Sequence, residues 1–169
     1  DSVPPDPQLL GPGIRGSVVC VTGAGGTIGS ELCRNIATLQ PSKLILLDNS
    51  EPALYQIEQE LQISGTSKCE LISVLGSAAD PVLVEQLFTA YRVQVVFHAA
   101  AYKHVPLVEV NPVAGLANNV CSTRVVCRAA AISDVREVVM ISTDKAVRPT
   151  SVMGASKRLA ELVVQAFAS

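Results

Sequence analysis

The sequence predicts an α/β fold, a doubly wound parallel sheet with strand order 3-2-1-4-5. Three observations carry that prediction. Short apolar runs rich in β-branched residues alternate with segments of helical periodicity, with little spare loop between them. The first run ends in the glycine-rich stretch Gly23-Ala24-Gly25-Gly26-Thr27-Ile28-Gly29. The second ends in an acid, Asp48, about 20 residues past the glycines, the separation found between a phosphate site and a ribose site in a Rossmann-type domain. Alternation of this kind gives right-handed crossovers and a ligand site over the carboxyl ends of the strands, at the switch between strands one and four.

Each element follows from its residues. Val18-Val19-Cys20-Val21 reads as a buried parallel strand. Gly23, Gly26 and Gly29, at three-residue spacing, let the backbone turn tightly and approach a pyrophosphate. Gly25, Thr27 and Ile28 complete the turn, and the helix that starts there offers its N–H groups and positive dipole end to the anion. Ile28, Leu32, Ile36 and Leu39 share one face of that helix. Leu44 to Leu47 form the second strand, after which Asp48 can accept from both ribose hydroxyls, with Ser50 beside it. Leu54, Ile57 and Leu61 mark the next helix, and Leu71 to Leu75 the third strand. Asp80-Pro81 opens a helix, Asp as N-cap and Pro at the first helical position. Val93 to His98 is the fourth strand, followed by Ala99-Ala100-Ala101, small enough to let a cofactor lie against the backbone. Asn111-Pro112 repeats the capping device ahead of a helix to about Ala131. Val135 to Ser142 is the fifth strand, and Ser151 caps a last helix through Ala168. Residues 1–16, with Pro4, Pro5, Pro7 and Pro12, read as a linker from something upstream, and 17–169 as a dinucleotide-binding domain, the N-terminal part of a catalytic domain.

Composition narrows the class. Hydrophobic residues make up 49% and charged residues 17%, as a sheet buried on both faces requires, and the formal charge of −2 gives no nucleic-acid footprint. Cys20, Cys33, Cys69, Cys121 and Cys127 form no CxxC pair and read as reduced thiols. Neither a metal nor a nucleic acid is expected as a partner. No apolar run reaches the roughly 20 residues that span a bilayer, and no signal peptide is evident.

The fifth strand ends in Ser142-Thr143-Asp144-Lys145, where three side chains able to donate or move protons emerge together on the ligand side. A carboxylate and an ammonium group this close stabilise each other's charged forms, so they act as an acid/base pair only where site or substrate tunes them toward neutrality. His98 reads as a packed strand residue and His104 as a loop residue. Met153 and Lys157, four apart, share a helix face. Many nicotinamide enzymes of this fold carry a tyrosine base at the first of those positions. Methionine has no proton to move, so that task falls to other groups, such as Thr143 through a water, while Lys157 can hold the nicotinamide ribose. Asp48 would repel a 2′-phosphate, and Asp48-Asn49-Ser50-Glu51 contains no arginine to receive one, so NAD is expected over NADP.

Longer motifs resemble one family. Thr22 to Gly29, His98 to Ala101, the run Tyr102-Lys103-His104-Val105-Pro106-Leu107-Val108-Glu109, Asn118-Asn119-Val120, Ser142 to Pro149 and Met153-Gly154-Ala155-Ser156-Lys157 are similar to the nucleotide-sugar 4,6-dehydratases of bacterial polysaccharide biosynthesis. These are extended short-chain dehydrogenase/reductases acting on UDP-N-acetylglucosamine. Methionine at 153 resembles their large, membrane-anchored branch. That implies a longer parent anchored through upstream segments at the cytoplasmic face of the inner membrane, and retention of configuration at C5. A homo-oligomer is compatible with the resemblance. The resemblance implies hydride removal at C4, loss of the C5 proton to Lys145, protonation of the leaving 6-hydroxyl by Asp144, and hydride return to C6. It also implies that Thr143 bonds the 4-hydroxyl or its water, that Asn119 meets the cofactor, and that Lys103 and His104 meet the substrate. Because the family recognises UDP mainly through a C-terminal region, this stretch alone is expected to bind NAD without dehydrating the sugar. Two positions depart from the pattern: Cys121-Ser122 stands where a glycine-containing turn is expected, and Ser151 where asparagine is usual. Two other functions fit the fold. A nucleotide-sugar 4-epimerase would want the missing tyrosine and has no use for Asp144-Lys145, and a non-catalytic nucleotide sensor or scaffold would dispense with the strand-five residues altogether.

Overall fold

The computed structural model describes residues 13–64 and 69–168. Most of the stretch read as linker, 1–12, lies outside the described residues; Ile14 is buried in the core beside α1, and Arg136 donates to the Gly13 carbonyl at 2.5 Å. Five parallel strands run β1 (Val18–Thr22), β2 (Lys43–Asp48), β3 (Glu70–Leu75), β4 (Val95–His98) and β5 (Glu137–Met140), in the predicted order β3-β2-β1-β4-β5. Thr22 is in register with Leu47 on one side and His98 on the other, and His98 with Met140. That register brings the glycine turn, Asp48, Ala99–Ala101 and the segment after β5 to one rim of the sheet.

The helices are α1 (Thr27–Thr38), α2 (Glu51–Ser64), α3 (Pro81–Tyr91), α4 (Val105–Glu109), α5 (Pro112–Leu116), α6 (Ser122–Ile132) and α7 (Val152–Ala168). Successive strand side chains point to opposite faces. Val19, Val21, Leu44 and Leu46 therefore meet Ile36 of α1 and Ile57 of α2, while Cys20, Ile45, Leu47 and Val96 meet Phe88 of α3 and Val126 of α6. Each such side chain contributes about 1.5–3 kcal/mol on burial. Among the described residues no disulfide joins the cysteines, and burial pushes the Cys33 thiol up to about 12. Among the described residues no helix is long and apolar enough to cross a membrane.

Asp80 caps α3 as expected, accepting from Val82 and Leu83 N–H at 3.0 and 3.1 Å, worth about 1 kcal/mol. Ser151 likewise accepts from Gly154 N–H at 3.0 Å. Other expectations need correction. β4 starts at Val95 because Arg92 closes α3 in the left-handed region and Val93 N–H turns back to the Phe88 carbonyl. β5 is shorter than 135–142, since Val135 N–H is spent on the Ala130 carbonyl. Asn111 gives no side-chain cap to α5; its amide donates to the Leu107 carbonyl instead. The helix expected from there to Ala131 is interrupted by a π-helical segment, Ala117–Cys121, so Cys121-Ser122 lies within continuous helix rather than in a turn. Ile28 points outward, half exposed, into the ligand rim.

Candidate functional site

The glycine turn is built by close approach. Gly23 has φ +69°, and a Cβ there would sit 2.7 Å from the Ala100 backbone; a Cβ on Gly29 would sit 1.9 Å from the Gly23 carbonyl oxygen. Gly26, the N-cap of α1, carries no capping side chain, so first-turn N–H groups, which lack intrahelical partners, stay free for a ligand. A groove of about 220 Å³ opens here, lined by Gly23, Gly25, Gly26, Asp48, Ser50 and Ala99–Tyr102, among others.

Asp48 is 8% exposed, and both its oxygens already accept backbone bonds, Oδ2 from Gly25 N–H and Oδ1 from Ser50 N–H, each at 2.8 Å. The acid therefore ties the glycine turn to the start of α2 before any ligand arrives. Each oxygen keeps a lone pair for a ribose hydroxyl. Ser50 lines the groove and shapes Asp48 through its backbone.

Ala99, Ala101 and Tyr102 form the wall between this groove and a second pocket of about 310 Å³. Asn119 lies behind that wall, not on it. Its side chain is 1% exposed, accepts from Tyr102 N–H at 2.7 Å, and donates to the Tyr102 carbonyl and Ser156 Oγ. Every polar group of its side-chain amide is spent on protein, including a bond from its neighbour Asn118, which lines the groove. Lys103 reaches back across the wall, where Nζ donates to Thr27 Oγ1 at 3.3 Å, and so sits over the first turn of α1. His104 occupies the N-cap position of α4 without a side-chain cap. With Lys103, Leu107 and Val108 it lines a further pocket of about 400 Å³.

The second pocket gathers Ile28, Lys103, Ser142, Thr143, Lys145, Met153 and Lys157. Thr143 caps a 3₁₀ turn, Asp144–Ala146, and donates to Asp144 Oδ1 at 3.0 Å; Lys145 Nζ reaches the same oxygen at 3.4 Å. The Thr143 bond first, then the Lys145 charge, hold Asp144 below the usual carboxylate range. Asp144 itself stands at the mouth of this pocket, outside its wall. Met153 and Lys157 are buried side by side on α7. Lys157 Nζ donates to the Ile141 carbonyl at 2.6 Å; burial lowers its pKa, opposed by the Glu161 carboxylate. Ser142 in turn donates to Glu161 at 2.5 Å. The residues expected at the chemistry thus share one rim with those expected at the dinucleotide. Among the described residues no cluster of His, Cys, Asp or Glu could hold a metal.

Two features escaped sequence reading. Glu109 accepts from Val152 N–H at 2.6 Å, so the end of α4 caps the helix that carries Met153 and Lys157. A Cβ on Gly154 would sit 2.3 Å from the Lys145 carbonyl oxygen, which is how α7 seats the 3₁₀ turn.

Known proteins resemble this chain over most of its length. A family described as polysaccharide biosynthesis protein matches residues 19–169. The capsular polysaccharide biosynthesis protein CapD of Staphylococcus aureus is 41% identical over 167 residues, 99% of this chain and 28% of CapD. The UDP-N-acetylglucosamine 4,6-dehydratase (inverting) of Campylobacter jejuni is 32% identical over 145 residues, 85% of this chain and 41% of that protein. The crystal structure of DesIV, a dTDP-glucose 4,6-dehydratase from Streptomyces venezuelae with NAD bound, superposes with a TM-score of 0.75 over 88% of this chain and 51% of DesIV, at 24% identity. The chain spans less than half the length of the two sequence relatives.

Proposed function

The chain belongs to the polysaccharide biosynthesis protein family, and from that premise we propose that it forms the cofactor-binding and acid–base half of an NAD-dependent 4,6-dehydratase acting on UDP-N-acetylglucosamine. The observation that carries the reading is the shared wall. Ala99, Ala101 and Tyr102 border both the glycine-turn groove and the pocket of Thr143, Lys145 and Lys157.

The groove fits NAD on its own terms. The α1 N-terminus is uncapped and Asp48 is buried, with lone pairs to spare and a charge that rejects a 2′-phosphate. When bound, NAD supplies a reversible hydride acceptor. Lys103, over the first turn of α1, adds positive charge where a pyrophosphate would lie. Lys157 holds the nicotinamide ribose. Thr143 bonds the sugar 4-hydroxyl or its water, Lys145 removes the C5 proton, and Asp144 protonates the departing 6-hydroxyl. Because Asp144 is held ionised in the free protein, its acid role requires a bound sugar to raise its pKa. Met153 cannot serve as the base a 4-epimerase would use at that position, and the Asp144–Lys145 pair has a task only if water is lost.

The test uses the full-length protein with NAD and UDP-N-acetylglucosamine. The product has lost one water. Asp144→Asn and Lys145→Met each cut turnover by about 10²–10⁴. A 4-epimer as product, or turnover within about threefold of wild type in both variants, overturns the reading.

A further inference from the structure

His98 is buried where β1, β4 and α6 meet, and its surroundings fix the position of its proton. Nδ1 is 2.7 Å from Thr22 Oγ1, while Nε2 is 3.1 Å from Thr123 Oγ1 and 3.5 Å from Ser122 Oγ. Thr123 Oγ1 donates its proton to the Asn119 carbonyl at 2.7 Å, and Ser122 Oγ donates to the Asn118 carbonyl. A hydroxyl has a single proton to give, so toward His98 both can only accept. Nε2 must therefore carry the hydrogen. The neutral ring then has a bare Nδ1, which accepts from Thr22, and the Thr22 oxygen accepts from Ala100 N–H at 3.4 Å. One directed series of donors runs from the Ala100 amide through Thr22, His98 and Thr123 to the Asn119 carbonyl. It links the wall of the groove to the π-helical segment.

That direction has a structural effect. Serine and threonine hydroxyls that take the carbonyl four residues back distort a helix. Here two in succession do so, and the backbone widens into the π segment Ala117–Cys121. Each residue advances a regular helix by about 100°, so the extra residue of a π turn re-aims whatever precedes it. What it aims are Asn118, toward the groove, and Asn119, onto both backbone groups of Tyr102.

We propose that His98, held as the Nε2–H tautomer, is a positioning residue that fixes this π segment and thereby sets Asn118 and Asn119 against the wall between the two pockets. Its consequence for dinucleotide binding rests on the function proposed above. Two ligand-free readouts test the assignment. Nitrogen-15 spectra of the wild-type imidazole show a protonated Nε2 and a bare Nδ1; a protonated Nδ1 overturns it. Amide exchange at Tyr102 becomes about tenfold faster in His98→Asn and in Thr123→Val, and stays near wild type in His98→Gln, which can still donate toward Thr123. Unchanged exchange in the first two overturns it. With NAD, the same two variants each bind about tenfold more weakly, and the double variant also about tenfold, because both break one series. An additive, roughly hundredfold loss contradicts the shared series. A wild-type chain that binds no NAD strikes out the proposed function, and the two ligand-free readouts then decide the assignment by themselves.

Discussion

The two pockets that meet at Ala99–Tyr102 are built by opposite means. The glycine-turn groove is made of backbone held by backbone: Gly23 lies against Ala100, Gly29 against Gly23, and the Asp48 carboxylate is fixed by two amides. The pocket after β5 is floored by buried Met153 and Lys157, but at its mouth Asp144 and Lys145 have side chains 87% and 56% exposed, paired across 3.4 Å. Exposed pairs of that kind add little to stability. The difference separates holding a ligand from transforming it. The groove has its geometry before any ligand comes, whereas the proposed acid–base role of Asp144 and Lys145 requires a bound sugar to set their protonation.

Substitutions in the first region should therefore damage stability and binding, and those in the second should damage turnover alone. The largest effect is expected from Gly29→Ala, whose Cβ must displace the Gly23 carbonyl 1.9 Å away. It destabilises the fold by about 3 kcal/mol and abolishes dinucleotide binding, read by denaturant unfolding and titration; an unchanged midpoint would break the contrast.

The next effect concerns pH. Burial, with the Lys157 charge as a smaller cause, holds His98 down to about 3. Unfolding restores the ordinary value near 6.5, so below that pH the unfolded chain binds a proton that the native ring refuses. His98 thus withdraws stability as pH falls from about 6.5 toward 3, by about 1.4 kcal/mol per unit. Unfolding of wild type and His98→Gln across that window should differ by this slope, and parallel curves would refute it.

A smaller loss is expected for Asp48→Asn. Its amide nitrogen cannot accept one of the two backbone bonds, and the charge against a 2′-phosphate is gone. NAD binds about tenfold more weakly and the preference over NADP narrows; comparative titration showing intact preference would assign selectivity elsewhere. The smallest effect is reserved for Asp144→Asn and Lys145→Met, which should leave the unfolding midpoint near wild type while NAD affinity stays within about twofold. A large stability loss would mean that the mouth is built like the groove.

The same division explains what the sequence disclosed. The sheet order, the glycine turn, Asp48, the Asp80 cap, the buried face of α2 and, past Ile28, that of α1 were legible because each is declared by neighbouring residues: a turn by its glycines, a cap by Asp-Pro, a face by spacing. What was missed depends on partners distant along the chain. Glu109 caps a helix 43 residues later, and Lys103 reaches Thr27 across 76. Asn111 has the residue type of a cap, yet the Leu107 carbonyl takes its amide. Asn119 carries a motif that suggested a cofactor contact, but the π segment turns it inward and presents Asn118 instead. Nothing local announces that segment, since Ser122 and Thr123 bend a helix only when their hydroxyls turn back onto it, and here His98, from another element, holds them so.

The proposed function requires one dinucleotide to span both pockets. A crystal structure of this protein with NAD tests it directly. The pyrophosphate should lie on the amides at Thr27 and Ile28, the adenosine ribose on Asp48, and the nicotinamide in the pocket of Thr143, Lys145 and Lys157. A nicotinamide ring found on the other side of the Ala99–Tyr102 wall, or a dinucleotide bound away from the glycine turn, would contradict it.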